Sequence, residues 1–136
     1  MNYIANTAYG CKIYQQDKNI EVNMNAFTYI KKLCMKHLFS YKGYILACQK
    51  TLNLKYKVPL YITDHLQFIP SKNVRDFDCI WINYAYVYAY EAIKDGIRIT
   101  FYDRTKIIIK VSIKSFKTQI NRLNLIREVK VKHFHS

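Results

Sequence analysis

The sequence predicts an α+β fold, with a mainly antiparallel sheet of about seven strands, one helix after the first hairpin and one C-terminal helix. Three observations lead there. Short alternating apolar runs are separated by Asp, Asn and Gly turns, one stretch near residue 30 carries apolar residues at helical spacing, and a second such stretch follows Ser112. With 136 residues, 51% of them hydrophobic, the chain is long enough for one core and short for two. Residues 1–136 therefore read as a single domain.

Taken in order, "YGCKIYQQDKNIEVNM" reads as two short strands about a polar turn at Gln16 to Asn19. "NAFTYIKKLCMKHLF" reads as an amphipathic helix capped by Asn25, with Phe27, Ile30, Leu33, Cys34 and Leu38 as its apolar stripe and Lys31, Lys32 and Lys36 on its polar side. "SYKGY" ends that helix and leads through a short helical turn into a strand in which Leu52, Leu54 and Tyr56 alternate. A helix-turn-helix over residues 25–50 is discounted, because Gly43 falls near the start of its second segment and Thr51 onward has strand patterning.

"LYITDHLQFIP" predicts a hairpin turning near Thr63 to His65, and "SKNVRDFD" an exposed loop. "WINYAYVYAYE" reads as one long strand, which places Tyr84, Tyr86, Tyr88 and Tyr90 on a single face. Turn chemistry at Asp95-Gly96 and at Asp103-Arg104-Thr105 adds two strands and completes an antiparallel meander. Ser112 or Ser115 then caps a terminal helix whose buried stripe is Phe116, Ile120, Leu123 and Ile126 and whose charged complement includes Lys114, Lys117, Arg122 and Arg127.

Charge narrows the function classes. With 22 Lys and Arg against 9 Asp and Glu the formal charge is +13, which points to a polyanionic partner such as nucleic acid. No apolar run approaches the roughly 18 residues of a membrane span, and no signal-peptide core follows Met1, so a cytoplasmic protein is expected. Cys11, Cys34, Cys48 and Cys79 are scattered without metal-ligand spacing and read as buried free thiols. With no Gly-rich phosphate loop either, the expectation is a non-enzyme with no metal and no cofactor. His133 and His135 keep one alternative open, a small basic ribonuclease-like toxin using two imidazoles as acid and base.

"VNMNAFTYIKKLC", then Ser40-Tyr41-x-Gly43, Lys57-x-Pro59-Leu60, Phe68-x-Pro70-Ser71, Cys79-x-Trp81-Ile82, Thr100-Phe101 and Ser112-x-x-Ser115-Phe116-x-x-Gln119-x-x-Arg122 follow one another along the chain. In order and nearly in spacing this series resembles the ComK family of competence transcription factors, over about Val22 to Arg127. The resemblance implies a bacterial DNA-binding activator of DNA-uptake genes, associated with the nucleoid, which recognises AT-rich double-stranded boxes through the minor groove and acts as a homo-oligomer. The charge agrees, because narrow A·T-rich grooves attract inserted Lys and Arg.

Two departures stand out. Where the family loop reads Gly-Ser-Ser-Tyr-x-Gly-Arg this chain has Leu38-Phe39-Ser40-Tyr41-Lys42-Gly43-Tyr44, so a phenol replaces a guanidinium. The chain also stops soon after Arg127, without the tail through which longer members resemble substrates of adaptor-controlled proteolysis, and that control is not expected here. On this reading the DNA-contacting residues are Ser40, Tyr41, Lys42, Gly43, Tyr44, Lys55, Lys57, Arg104, Gln119 and Arg122. Trp81 and Ile82 are expected in the core. A related interaction module that has lost DNA binding is a further alternative.

Overall fold

The computed structural model describes residues 1–135, with side chains through Lys132. Its class is the expected one, built as two antiparallel sheets and three helices. The first sheet has six strands in the order β3-β2-β1-β6-β5-β4, formed by β1 (Tyr3–Thr7), β2 (Gly10–Tyr14), β3 (Ile20–Val22), β4 (Leu60–Thr63), β5 (Leu66–Pro70) and β6 (Trp81–Asn83). The second is the meander of β7 (Val87–Ile93), β8 (Gly96–Phe101) and β9 (Lys106–Ile109). No helix among the described residues is long and apolar enough to cross a membrane.

Two of the expected elements have clear local causes. Helix α1 (Ala26–Lys36) starts where the Asn25 side chain accepts the Thr28 N–H at 2.8 Å, and it buries Ile30, Leu33 and Cys34. Leu38, expected in that stripe, lies past the helix end with φ 68° and is 94% exposed. Helix α3 (Ile113–His135) starts where Ser112 Oγ accepts the Ser115 N–H at 3.0 Å, and it buries Phe116, Ile120, Leu123 and Ile126 as its spacing predicts.

Residues 38–57 depart from expectation. Ser40 caps a full second helix, α2 (Tyr41–Leu52), by accepting the Gly43 N–H at 3.0 Å, so two helices joined through residues 37–40 stand where one helix, a turn and a strand were expected. Tyr44 and Cys48, one turn apart, face the core, and Asn53 ends the helix in the left-handed region at φ 54°. The alternation of Leu52, Leu54 and Tyr56 therefore belongs to a helix end and a loop. Strand β1 is an addition to the expected set.

The tyrosine-rich segment is corrected as well. Asn83 ends β6 and accepts the Ala85 N–H at 3.3 Å, which turns the chain into a short 3-10 helix over Tyr84–Tyr86 before β7 enters the other sheet. A register shift between Val87 and Ala89 breaks the alternation again. The phenols consequently part company: Tyr84 and Tyr90 pack edge-on against Phe116 of α3, whereas Tyr88 is exposed and touches Tyr102.

Buried side chains from both sheets and all three helices form one core that includes Ile4, Ile30, Phe68, Trp81, Phe101 and Phe116. Lys130 pins α3 to the edge of the first sheet. Its Nζ donates to the Tyr61 carbonyl at 2.8 Å and lies over the rings of Phe39, Tyr44 and Tyr61, while burial pulls its pKa down. All four cysteines are free and buried, and burial pushes the Cys34 thiol up to about 11, so it stays protonated and unreactive near neutral pH.

Candidate nucleic-acid interface

Of the ten residues expected at the interface, the fold gathers only some. Ser40 and Gly43 form the cap of α2, and a Cβ at Gly43 would come within 2.8 Å of Ser40 Oγ, so a side chain there would push the capping hydroxyl aside. Tyr44 is 8% exposed; its hydroxyl donates to the Pro59 carbonyl at 2.7 Å and accepts the Tyr61 N–H at 3.0 Å. Burial raises its pKa well above the usual phenol range. Expected at the interface, Tyr44 is instead enclosed in this structure, where it ties α2 to β4.

Lys42 and Lys55 project into solvent. Arg104 occupies the β8–β9 turn with φ 73°. At about 3.4 Å per residue along β9 it is roughly 20 Å from Lys110 at the other end of that strand. Arg122 acts from behind the surface: its Nη1 donates to the carbonyls of Lys55 at 3.2 Å and Tyr56 at 2.9 Å. Those bonds hold a loop in which Tyr56 and Lys57 both have left-handed backbones, φ 59° and 43°. Such conformations cost side-chain-bearing residues on the order of 1–3 kcal/mol each and persist only where surroundings enforce them.

Tyr41 and Lys57 line a groove of about 680 Å³. Its walls are the start of α2, the loop at 56–58, the loop at 71–76 and the β9–α3 junction, so four segments far apart in sequence meet there. Lys57, Lys72 and Lys110 face it against one carboxylate, Asp76, whose Oδ1 already accepts the Asp78 N–H at 2.9 Å. Among the described residues Lys57 and Lys110 have no carboxylate partner, and Lys72 has only a long, exposed contact of 3.9 Å to Asp78. The surface of the groove is therefore net positive.

Gln119 lies beneath it. The side chain is 6% exposed, its Oε1 has no hydrogen-bond partner among the described residues, and it borders a cavity of about 10 Å³ that shares Lys57, Ser71, Val111 and Ser115 with the groove. Burial without a partner costs a polar oxygen about 1–3 kcal/mol. Gln119→Met is accordingly expected to keep the fold and raise its stability by up to about 1 kcal/mol, read as a higher urea midpoint. A midpoint lower than the parent's by a similar margin would mean that the oxygen is satisfied.

Lys72, Lys110, Ser112 and Ser115 are groove residues that the sequence reading did not place at the interface. One signal was available: Lys110 and Lys114 flank the start of a 23-residue helix with no acidic residue in its first turn, a charge order opposite to the one a helix N-terminus prefers. The side chains of His133 and His135, the ribonuclease alternative, lie outside the described residues.

A protein-family model described as ComK protein matches residues 2–133 of the chain. No curated protein matches it, and no solved structure does.

Proposed function

This chain belongs to the ComK family, and from that premise we propose that it is a cytoplasmic, DNA-binding transcription regulator that engages AT-rich duplex boxes through the minor groove and activates DNA-uptake genes as a homo-oligomer. The family is one of competence transcription factors and not of enzymes. The observation that carries the reading is the extent of the match, 132 of 136 positions, since residues 2 to 133 inclusive are covered. The formal charge of +13 supports it, because each phosphate neutralised by Lys or Arg releases counterions and strengthens binding at low salt.

A second reading has one observation in its favour. The position where the family carries an arginine holds Tyr44, which is buried, so a guanidinium available to a groove is missing and a protein-interaction role without DNA recognition follows. Equilibrium binding to an AT-rich and a GC-rich duplex, each at 50 and 200 mM salt, separates the two. The proposal expects preference for the AT-rich duplex at both salt concentrations, with affinity for both falling steeply as salt rises. Equal affinities that vanish at the higher salt leave only non-specific attraction and favour the interaction module.

A further inference from the structure

Resting on the DNA-binding reading, we infer that the groove between α2, the 56–58 loop and the start of α3 seats the sugar-phosphate backbone of duplex DNA. Lys57, Lys72 and Lys110 hold consecutive phosphates there, and the hydroxyls of Ser112 and Ser115 border the same seat. In this arrangement Ser40, Gly43 and Tyr44 are not contact residues. Ser40, Gly43 and Tyr44 are committed to capping and packing, while Tyr41 contributes only a wall.

Three features converge on this placement. The cations come from three separate segments, and two of the three have no carboxylate partner among the described residues, so an incoming phosphate displaces little. The loop carrying Lys57 is held in left-handed geometry by Arg122, an arrangement that fixes the backbone from which the ammonium reaches toward the groove. Gln119, buried and unpartnered, borders the small cavity under Lys57, where an oxygen that lacks a donor can accept one from that ammonium when it is drawn inward.

A duplex backbone fits better than a base-stacking single strand. Tyr41 is half-buried and held by T-shaped contacts with Phe27 and Trp81, so its ring is fixed in the groove wall. Tyr56, 86% exposed, is the one aromatic of the groove free to stack, and a single ring makes no platform. Val58 and Val111 supply apolar wall suited to deoxyribose.

The test removes the same charge from two places. Lys57→Gln with Lys110→Gln empties the groove of two cations, and Lys18→Gln with Lys106→Gln takes two from the turns at the other end of the meander, where Lys18 and Thr105 border one exposed hollow. All four positions are exposed, and unchanged thermal melts establish that both proteins fold. Affinity for the AT-rich and GC-rich duplexes is measured from 50 to 300 mM salt. The groove pair is expected to flatten the log K against log salt slope by about 1.8, close to 0.9 per phosphate contact, and to weaken both duplexes alike, while the turn pair keeps the parent slope. If both pairs change the slope equally, the groove assignment is overturned and the DNA-binding reading stands. If the groove pair loses the AT preference itself, the groove reads bases and the backbone assignment fails. If the parent protein binds neither duplex, the DNA-binding reading fails and takes this inference with it.

Discussion

Tyr44→Arg is expected to unfold the domain or bring it to the edge of unfolding, although the family's own loop carries arginine at that place. In this chain the side chain is enclosed: its hydroxyl serves the Pro59 carbonyl and the Tyr61 N–H, and the Lys130 ammonium lies 5.4 Å from its ring. A guanidinium there has no acceptor in the geometry of a phenol oxygen, leaves the Tyr61 N–H stranded and sets a second positive charge beside Lys130. Stranding one buried backbone group costs about 1–3 kcal/mol, and an uncompensated buried charge about 3–5 kcal/mol. The sum approaches the whole stability of an ordinary domain, about 5–15 kcal/mol. Urea denaturation should show a midpoint lower by about 2 M or no cooperative transition. Tyr44→Phe, which removes only the hydroxyl, should cost about 1–3 kcal/mol. An arginine variant as stable as the parent and tighter on DNA would mean that position 44 reaches the surface, and would restore the loop as the contact site.

That prediction shows why the site was harder to read than the fold. Helices α1 and α3, the β4–β5 hairpin and the meander announce themselves locally, through the Asn25 and Ser112 caps, the 3.6-residue spacing of Phe116, Ile120 and Leu123, and turns at Asp95-Gly96 and Asp103-Arg104. Helix α2 does not, because it buries only Tyr44 and Cys48 outright, so its apolar stripe is thin and Leu52-x-Leu54-x-Tyr56 imitates a strand. The Ser40-x-x-Gly43 spacing was visible, but one motif serves equally as a helix cap and as a loop contact, and only burial of Tyr44 decides. The groove is less legible still. Lys57, Lys72 and Lys110 are brought together by sheet order and by the loop following β5, neither of which any local pattern encodes.

Asn83 is the second place where one substitution should have a large effect, and there the change can be nearly isosteric. Its side chain is fully buried; Nδ2 donates to the carbonyls of Met1 at 3.0 Å and His65 at 2.9 Å, and Oδ1 accepts the N–H groups of Gln67 at 3.0 Å and Ala85 at 3.3 Å. Two donors and two acceptors are thus all used, and they tie β6 to the chain start, to the β4–β5 turn and to the 3-10 helix through which the chain changes sheets. Asn83→Asp keeps the shape and removes both donors. At neutral pH a carboxylate then faces two carbonyl oxygens in a buried site, an arrangement expected to cost at least about 3–5 kcal/mol. Protonation relieves it in part, because a carboxylic acid still donates once. The folded-state pKa of the introduced carboxyl is therefore raised above its unfolded value of about 3.9. A raised folded pKa means that the variant is least handicapped below about pH 4 and loses stability against the parent as pH climbs toward the folded pKa, by about 1.4 kcal/mol per unit. Urea midpoints of both proteins at pH 4, 5.5 and 7 should accordingly diverge as pH rises, and a gap independent of pH would mean that the site admits water and that Asn83 is not the sealed junction described. The junction matters for the groove because the meander that begins beyond it delivers Lys110, through β9, to the start of α3. Loosening Asn83 should therefore weaken DNA binding at neutral pH without touching any residue that faces the DNA, and should do so less at pH 5.5, where part of the carboxyl is protonated.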